Sequence, residues 1–349
     1  MWLGLVTALR ECLGRVEPLE SLEELLARPG VVEGLRGAQA GFAAQVRAMV
    51  AKKSEVGLPP NKHIRAIGGL EILRELGRGG MGTVFLAKND QGKQVVIKVP
   101  FTEYGADPNY VDIFFREFQA MSTARHDNIV RVFRYGRDPD QNVYYYVAEF
   151  VDGVTLKEYL EARPGQCFSP TQAAAVAMSV TRALRFLRGR SVEHRDLKPG
   201  NIMFDQEGRV KLIDFGSAKI AGEDSELTSA GVMMGTFDYM APEAGRCGAQ
   251  ALGPERDLFA LGVIHYRLLT GKLPQAFGGG REGAVAFGRF SESRRRPLRD
   301  LSGLDRLSRA LLLRLTERNP LKRLVDFDEI EQRLAQVVLH QAGRQAPSS

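Results

Sequence analysis

Apolar side chains recur at helical spacing through the first fifty residues, in three sets. These are Trp2, Leu5, Leu9 and Leu13; Leu19, Leu22, Leu25 and Leu26; and Phe42, Val46, Met49 and Val50. Pro18 and the "RPG" at Arg28 to Gly30 punctuate them, so the pattern predicts helices over residues 1–50. A polar stretch with two prolines, "AKKSEVGLPPNKH", follows, and residues 51–69 read as a linker. Periodicity does not name what a helix packs on. A small bundle against the main domain and a docking or self-association module both fit residues 1–50.

At Leu70 the period changes. "LEILRELG", "GTVFLAKN" and "KQVVIKVP" are short, rich in β-branched residues and separated by Gly or Asn-Asp turns, which predicts consecutive antiparallel strands. A helix is predicted from about Tyr110 to Ala124, then strands in "IVRVFRYGR" and "NVYYYVAEF". After Gly153 the texture is helical. "SPTQAAAVAMSVTRALRFL" opens with Ser169 as N-cap and Pro170 in the first turn. The polar end, residues 338–349, is expected to be a disordered tail. The expectation is an α+β chain, with a small β-rich lobe over 70–149 and a larger helical lobe over 154–337.

Composition narrows the function classes. Of 349 residues, 44% are hydrophobic and 26% charged, an ordinary globular balance. No apolar run reaches the ~18 residues that a spanning helix needs. The first residues carry neither a basic leader nor a small-residue cleavage site. Cys12, Cys167 and Cys247 are odd in number and widely spaced, which fits neither a disulfide framework nor a CxxC metal site, so a reducing cytoplasm is expected. The net charge of +6 raises nucleic acid as a partner. The densest basic cluster, Arg294 to Arg296, lacks interleaved aromatics and any binding motif, so a solvated face or a surface for an acidic partner is the expected reading.

Candidate chemistry begins at "LGRGGMGTV", where Gly77, Gly79 and Gly82 form a GxGxxG. The dinucleotide-binding form of that motif opens a helix. Here the following "TVFLAK" reads as a strand, which disfavours it. A glycine-rich strand–turn–strand lets backbone N–H groups approach phosphates closely. Lys98 follows in "VVIKV", sixteen residues after Gly82. A lysine in an apolar strand is costly unless paired, and Glu117 in "IFFREFQAM" is the expected partner, with phosphate oxygens as the second. Further on, "VEHRDLKPGN" packs acids, bases, a histidine and an asparagine into residues 192–201.

With these segments in this order, the chain from about Leu70 to Gln336 resembles the protein kinases. In texture, "GRGGMG" and "HRDLKPGN" are similar to the bacterial eukaryotic-like (Hanks-type) serine/threonine kinases. The resemblance implies a bilobal kinase fold and Mg²⁺ and ATP as the groups bound. It makes Gly77, Gly79, Gly82 and Val84 the glycine-rich loop, and Lys98 with Glu117 the strand lysine and its helix partner. Asp196 would accept the substrate proton, Lys198 would reach the transferred phosphate, and Asn201 and Asp214 would hold metal. His194 would be structural, stacking beneath Phe215. Val84, Val96 and Met203 would sandwich adenine, while Glu149, Phe150 and Val151 would form the hinge beside it. Asp257 would tie down the catalytic loop, and Arg323 would pair with Glu243 of "APE".

The same resemblance points to protein serine and threonine as substrates, from the lysine at 198 followed by "PGN" and from Thr236. Arg195 beside Asp196 implies an activation segment that phosphorylation can order, with autophosphorylation at Ser225, Thr228 or Ser229; the acidic "GED" before them is the alternative source of order. A pseudokinase scaffold would be expected to lose Lys98, Asp196 or Asp214, and a small-molecule phosphotransferase would lack "APE". Ala148 would be an unusually small guard of the pocket behind adenine, unless a one-residue slip among the tyrosines puts Val147 there. Nothing before Leu70 is expected to be needed for chemistry.

Overall fold

The computed structural model describes residues 31–55, 65–79, 82–100, 118–119, 122, 124–214, 219–220, 237–245, 254–274, 298 and 301–345. The helical sets before residue 31 lie outside these, as do Glu117, Met121, Phe215, Gly216, Ser225, Thr228, Ser229, Thr236, Cys12, Cys247 and Arg294 to Arg296.

The strands expected from Leu70 onward form one antiparallel sheet. It contains β1 (Ala66–Ile67), β2 (Leu70–Gly79), β3 (Gly82–Lys88), β4 (Gln94–Val99), β5 (Val132–Asp138) and β6 (Val143–Glu149), in the order β1-β2-β3-β4-β6-β5. The Asn-Asp turn between β3 and β4 works through Asn89, whose side-chain oxygen accepts the Gln91 and Lys93 N–H groups at 3.1 and 2.8 Å. Alternation along the strands gives the sheet two faces. Ile67, Leu70, Phe85, Ile97, Tyr145 and Val147 form a cluster on one. Val96, Tyr146 and Ala148 face the other way, into the core of the helical lobe. Gly68 and Gly136 leave room for the Tyr145 ring: a Cβ on either would lie 2.0 or 2.6 Å from its hydroxyl oxygen.

After the sheet, β7 (Gly153–Thr155) leads into α2 (Leu156–Glu161), which Thr155 and Glu158 cap reciprocally. Next, α3 (Pro170–Arg188) starts as expected, with Ser169 and Gln172 in a capping box and proline in the first turn. Two short antiparallel pairings carry the next segments. In one, β10 (Val210–Leu212) pairs with β9 (Ile202–Asp205), which also pairs with β7; in the other, β11 (Lys219–Ile220) pairs with β8 (Val192–Glu193). The helix α4 (Glu255–Thr270) is buried almost throughout and stops at Gly271, whose φ of +69° is the left-handed stop that glycine tolerates. It is followed by α5 (Arg306–Leu315) and α6 (Phe327–Gln345).

Two expectations need correction. The end of the chain is not a disordered tail from 338: α6 runs to Gln345, with Val338 and Ala342 buried in the main core. Its composition reads as polar because only one stripe of the helix is apolar, and that stripe is what packs. Acidic Glu331 and Asp328 on the same helix meet Arg182 and Arg185 of α3 at 3.2 and 2.8 Å.

The second correction concerns the segment before the sheet. The helix α1 spans Val31–Glu55, so it continues past residue 50 into the stretch expected to be linker. It packs on the helical lobe, one of the two readings open for residues 1–50. Phe42 and Val46 are 1% and 0% exposed, and Phe42 packs against Tyr159, Phe168 and Phe204 at ring distances of 5.4, 5.9 and 4.9 Å. A Cβ on Gly208 would lie 2.8 Å from that same ring, so the turn after β9 is shaped to admit it. Polar contacts frame the seam: the Tyr159 hydroxyl donates to Gln45 (2.6 Å), and Lys53 pairs with Glu158 (2.7 Å). The Phe42–Val46–Val50 set is therefore used within this chain. Among the described residues, no helix is long and apolar enough to cross a membrane.

Candidate active site

The glycine-rich hairpin is the β2–β3 turn, with Gly77 opposite Val84 and Gly79 opposite Gly82. At Gly82, φ is +149° and a Cβ would lie 2.1 Å from the Val99 carbonyl oxygen, so only glycine fits. A Cβ on Gly77 would meet nothing within 4 Å, so the turn has space beside it.

Lys98 sits on β4 opposite Val84 and is 5% exposed. Its Nζ donates to Asp214 Oδ1 at 2.7 Å and lies 5.8 Å from the Tyr146 ring centroid. The expected partner Glu117 lies outside the described residues, and the partner seen is the carboxylate expected to hold metal. Asp214 follows β10 and has a φ of +59°. Arg195 has a φ of +62°. Both are in the left-handed region that non-glycine residues rarely occupy, a conformation the surrounding structure must hold.

That holding is visible. Asp257, buried on α4, accepts the backbone N–H groups of His194 and Arg195, each at 2.8 Å. Burial pushes the Asp257 carboxyl up from its ordinary range, while His194 and the two backbone donors pull it down. The Ile213 N–H donates to the Asn201 carbonyl (2.9 Å), which joins the catalytic loop to the residue between β10 and Asp214. Farther along, Arg323 grips Glu243 with two hydrogen bonds of 2.5 and 3.0 Å, both side chains buried. The tie from Asp257 and the Arg323–Glu243 pair are as the sequence implied.

Within the loop, Asp196, Lys198 and Asn201 converge. Asp196 Oδ2 accepts Lys198 Nζ at 2.5 Å and Asn201 Nδ2 at 3.2 Å, and Asn201 Nδ2 also donates to the Asp196 carbonyl at 2.8 Å. The other carboxylate oxygen, Asp196 Oδ1, is buried and has no hydrogen-bond partner among the described residues. Such an acceptor is costly to leave unmet. Lys198 rests on Asp196.

Two of the three residues expected to sandwich adenine meet the same core. Val96 lies between Leu86 and Ala148 in the sheet, and Val96 and Met203 both pack against the main core. Ala148 is 4% exposed and shares that face with Tyr146, while Val147 belongs to the opposite cluster. The register therefore makes Ala148 the inward residue, and the one-residue slip does not occur. Phe118, a candidate to fill the space behind it, has its ring 4.6 Å from Tyr135.

Sequence reasoning missed some of the site's supports. The side chain of Glu149 is not aimed at a ligand: its carboxylate pairs with Lys211 of β10 (2.8 Å) and accepts the Arg131 N–H (3.1 Å). Its own N–H donates to the Arg131 carbonyl (2.8 Å), so Glu149 braces the end of β6 to the helical lobe. Val151, two residues on, is buried. Neither Lys211 nor Arg131 carries a motif; only the alternation of β10, which turns Lys211 away from buried Val210 and Leu212, signals it.

A family model described as the protein kinase domain matches residues 70–332. The chain belongs to the protein kinase family. Bacterial proteins are among the relatives of this kinase domain. Serine/threonine-protein kinase PrkC of Bacillus subtilis is 35% identical over 60% of this chain and 32% of its own length. Pkn1 of Myxococcus xanthus is 38% identical over 59% of this chain and 29% of its own. PknA of Mycobacterium tuberculosis is 34% identical over 63% of this chain and 51% of its own. The chain thus spans between about a third and a half of the relatives it matches. The matched region begins at Leu70, so α1, which fills the back of the kinase core, precedes it.

Proposed function

We propose that this chain is an ATP-dependent serine/threonine protein kinase, transferring the γ-phosphoryl group of Mg-ATP to Ser and Thr hydroxyls of protein substrates. The observation that carries the reading is the orphaned Asp196 Oδ1, a buried acceptor beside a lysine and an asparagine that its twin oxygen already engages. A substrate hydroxyl would donate to Oδ1 and lose its proton there as its oxygen bonds to the γ-phosphorus and the bond to ADP breaks. Lys198 would swing from Asp196 to the transferred group, and Lys98 would share its ammonium between Asp214 and phosphate oxygens.

Asn201 and Asp214 suit Mg²⁺, since they offer a neutral carbonyl oxygen and a carboxylate, the hard ligands it takes. Asn201 directs its nitrogen to Asp196, which leaves Oδ1 as its ligand atom. The metal would neutralise phosphate charge. Gly77, Gly79 and Gly82 would cover the phosphates, with Val84, Val96 and Met203 against adenine and the backbones of Glu149 and Val151 along its edge. Glu117 would be the second partner of Lys98. Autophosphorylation within residues 225–229 would accompany activity. The scattered cysteines, with Cys167 a free surface thiol, support a reducing, cytoplasmic setting.

Incubation with radiolabelled ATP, Mg²⁺ and a generic protein substrate tests the proposal. Label should appear on Ser or Thr with the natural chain and vanish with Asp196→Ala. Equal labelling by both proteins would sink it.

A further inference from the structure

The residue before His194 lies on β8, where its neighbour Val192 is buried, and the strand offers a place for an apolar side chain. It is Glu193, only 6% exposed. A carboxylate there is costly unless something compensates it. The compensation is Arg195, whose Nε donates to Glu193 Oε2 at 2.9 Å. Burial pushes the Glu193 carboxyl up and Asp257 adds to that, whereas Arg195 and Arg256 oppose it. Arg256, at the start of α4, is drawn down by burial and by Arg195, and steadied by Glu243, Glu193 and Asp257.

Among the described residues, the cluster beneath the catalytic loop therefore holds three guanidinium groups (Arg195, Arg256, Arg323) and three carboxylates (Glu193, Glu243, Asp257). Its charges match. A phosphate of charge near −2 added to the activation segment would meet an arginine that already has its counter-charge.

We propose that Glu193 is the built-in counterion of Arg195, a positioning residue that holds the catalytic loop in order without a phosphorylated activation segment. The proposal rests on the kinase reading and deepens it: autophosphorylation at residues 225–229, where it occurs, is not the switch that makes Asp196 competent. Glu193 touches no reacting atom; it acts through Arg195, whose backbone neighbours Asp196.

The test compares the full chain, Glu193→Gln and Glu193→Asp, each stripped by phosphatase and each in a Ser225→Ala/Thr228→Ala/Ser229→Ala background. The stripped natural chain should keep its kcat within about threefold of the phosphorylated form. Stripped Glu193→Gln should lose about tenfold or more in kcat, the scale of one charge-assisted hydrogen bond, with KM for ATP little changed. Phosphorylation of Glu193→Gln should restore part of that loss, which a purely structural lesion would not allow. Glu193→Asp keeps the carboxylate and should retain activity. Amide exchange at His194 and Arg195, which needs no turnover, should quicken in Glu193→Gln by about tenfold or more on the same scale and stay slow in the stripped natural chain. A stripped natural chain as inactive as Asp196→Ala, beside an active phosphorylated form, would overturn the proposal. So would unchanged exchange in Glu193→Gln. If even the phosphorylated natural chain transfers no phosphate, the kinase reading fails, and the exchange result alone then decides the role of Glu193.

Discussion

The catalytic loop and helix α1 lie in the same lobe and are built on opposite terms. The loop is a set of polar groups satisfied by one another: Asp257 on two N–H groups, Lys198 and Asn201 on Asp196, and Glu193 on Arg195. Its backbone is held at a positive φ at Arg195, and one carboxylate oxygen is left without a partner. The helix contributes Phe42 and Val46 to an apolar cluster. Groups poised to act on a substrate give little back in stability, whereas groups that pack give stability and no chemistry. Substitutions in the two regions should therefore fail in different ways.

The largest effects belong to the loop and its nucleotide partners. Asp196→Ala, Asp214→Ala and Lys98→Ala should each lower kcat by about a thousandfold or more, since transfer depends on positioning and charge neutralisation. Thermal unfolding should shift little in Asp196→Ala, because Asn201 keeps the backbone carbonyl of residue 196 as an acceptor and Lys198 is partly solvated. A variant with near-normal turnover in a clean preparation would remove that residue from the site.

The helix should show the reverse. Phe42→Ala should cost about 3–5 kcal/mol by opening a cavity among Tyr159, Phe168 and Phe204, read as a lower denaturant midpoint with kcat per folded molecule near normal. Removal of residues 1–50 should yield an aggregating or unfolded chain rather than an active domain. A soluble, fully active truncated domain would show that the packing of α1 contributes little.

A smaller effect separates polar groups that act from polar groups that are merely enclosed. His265 on α4 is fully buried, and burial pulls its pKa from 6.5 down to about 4, against the raising effects of the Ala173 backbone and Asp305. In the unfolded chain the imidazole takes a proton below its ordinary pKa, while the folded chain resists until pH 4 is approached. Stability should thus be complete above pH 6.5 and fall by about 3 kcal/mol in all between pH 6.5 and 4. In His265→Gln that part of the slope should disappear when denaturant midpoints are measured across the range.

Ala148→Met sharpens the comparison at the border of site and core. It should weaken ATP-competitive inhibitors carrying a bulky aromatic group by about 10- to 100-fold, the scale of excluding an apolar group from a cavity, and leave ATP turnover near normal. Equal inhibition of both proteins would mean that Phe118 or another side chain fills the space. The smallest effect is expected at Lys53→Ala: its pair with Glu158 is 42% and 39% exposed, so about 0.5 kcal/mol or less should be lost.

Much of the site could be read in advance because phosphoryl transfer demands particular residue types at short spacings. Asp196, Lys198 and Asn201 fall within six residues, and a loop of that length brings them together whatever lies beneath. The glycine hairpin was legible for the same reason: a strand on each side and a position, Gly82, that no side chain can enter. Strand alternation also foretold which of Val96, Val147 and Ala148 share a face once the register was known, and the Ser169 cap marked the start of α3 to the residue.

What the amino-acid sequence determined alone was local: where the period changes from helix to strand, where caps and turns fall, and which residues carry chemistry. The tertiary structure alone decided which distant groups meet. It paired Lys98 with Asp214, set Glu149 on Lys211, seated α1 under α2 and the turn after β9, and carried α6 past the expected tail. The physical reason is that periodicity reports the existence of an apolar face and charge reports the need for a partner. Neither reports the address of the surface that satisfies it, which only the closed packing of the whole chain supplies.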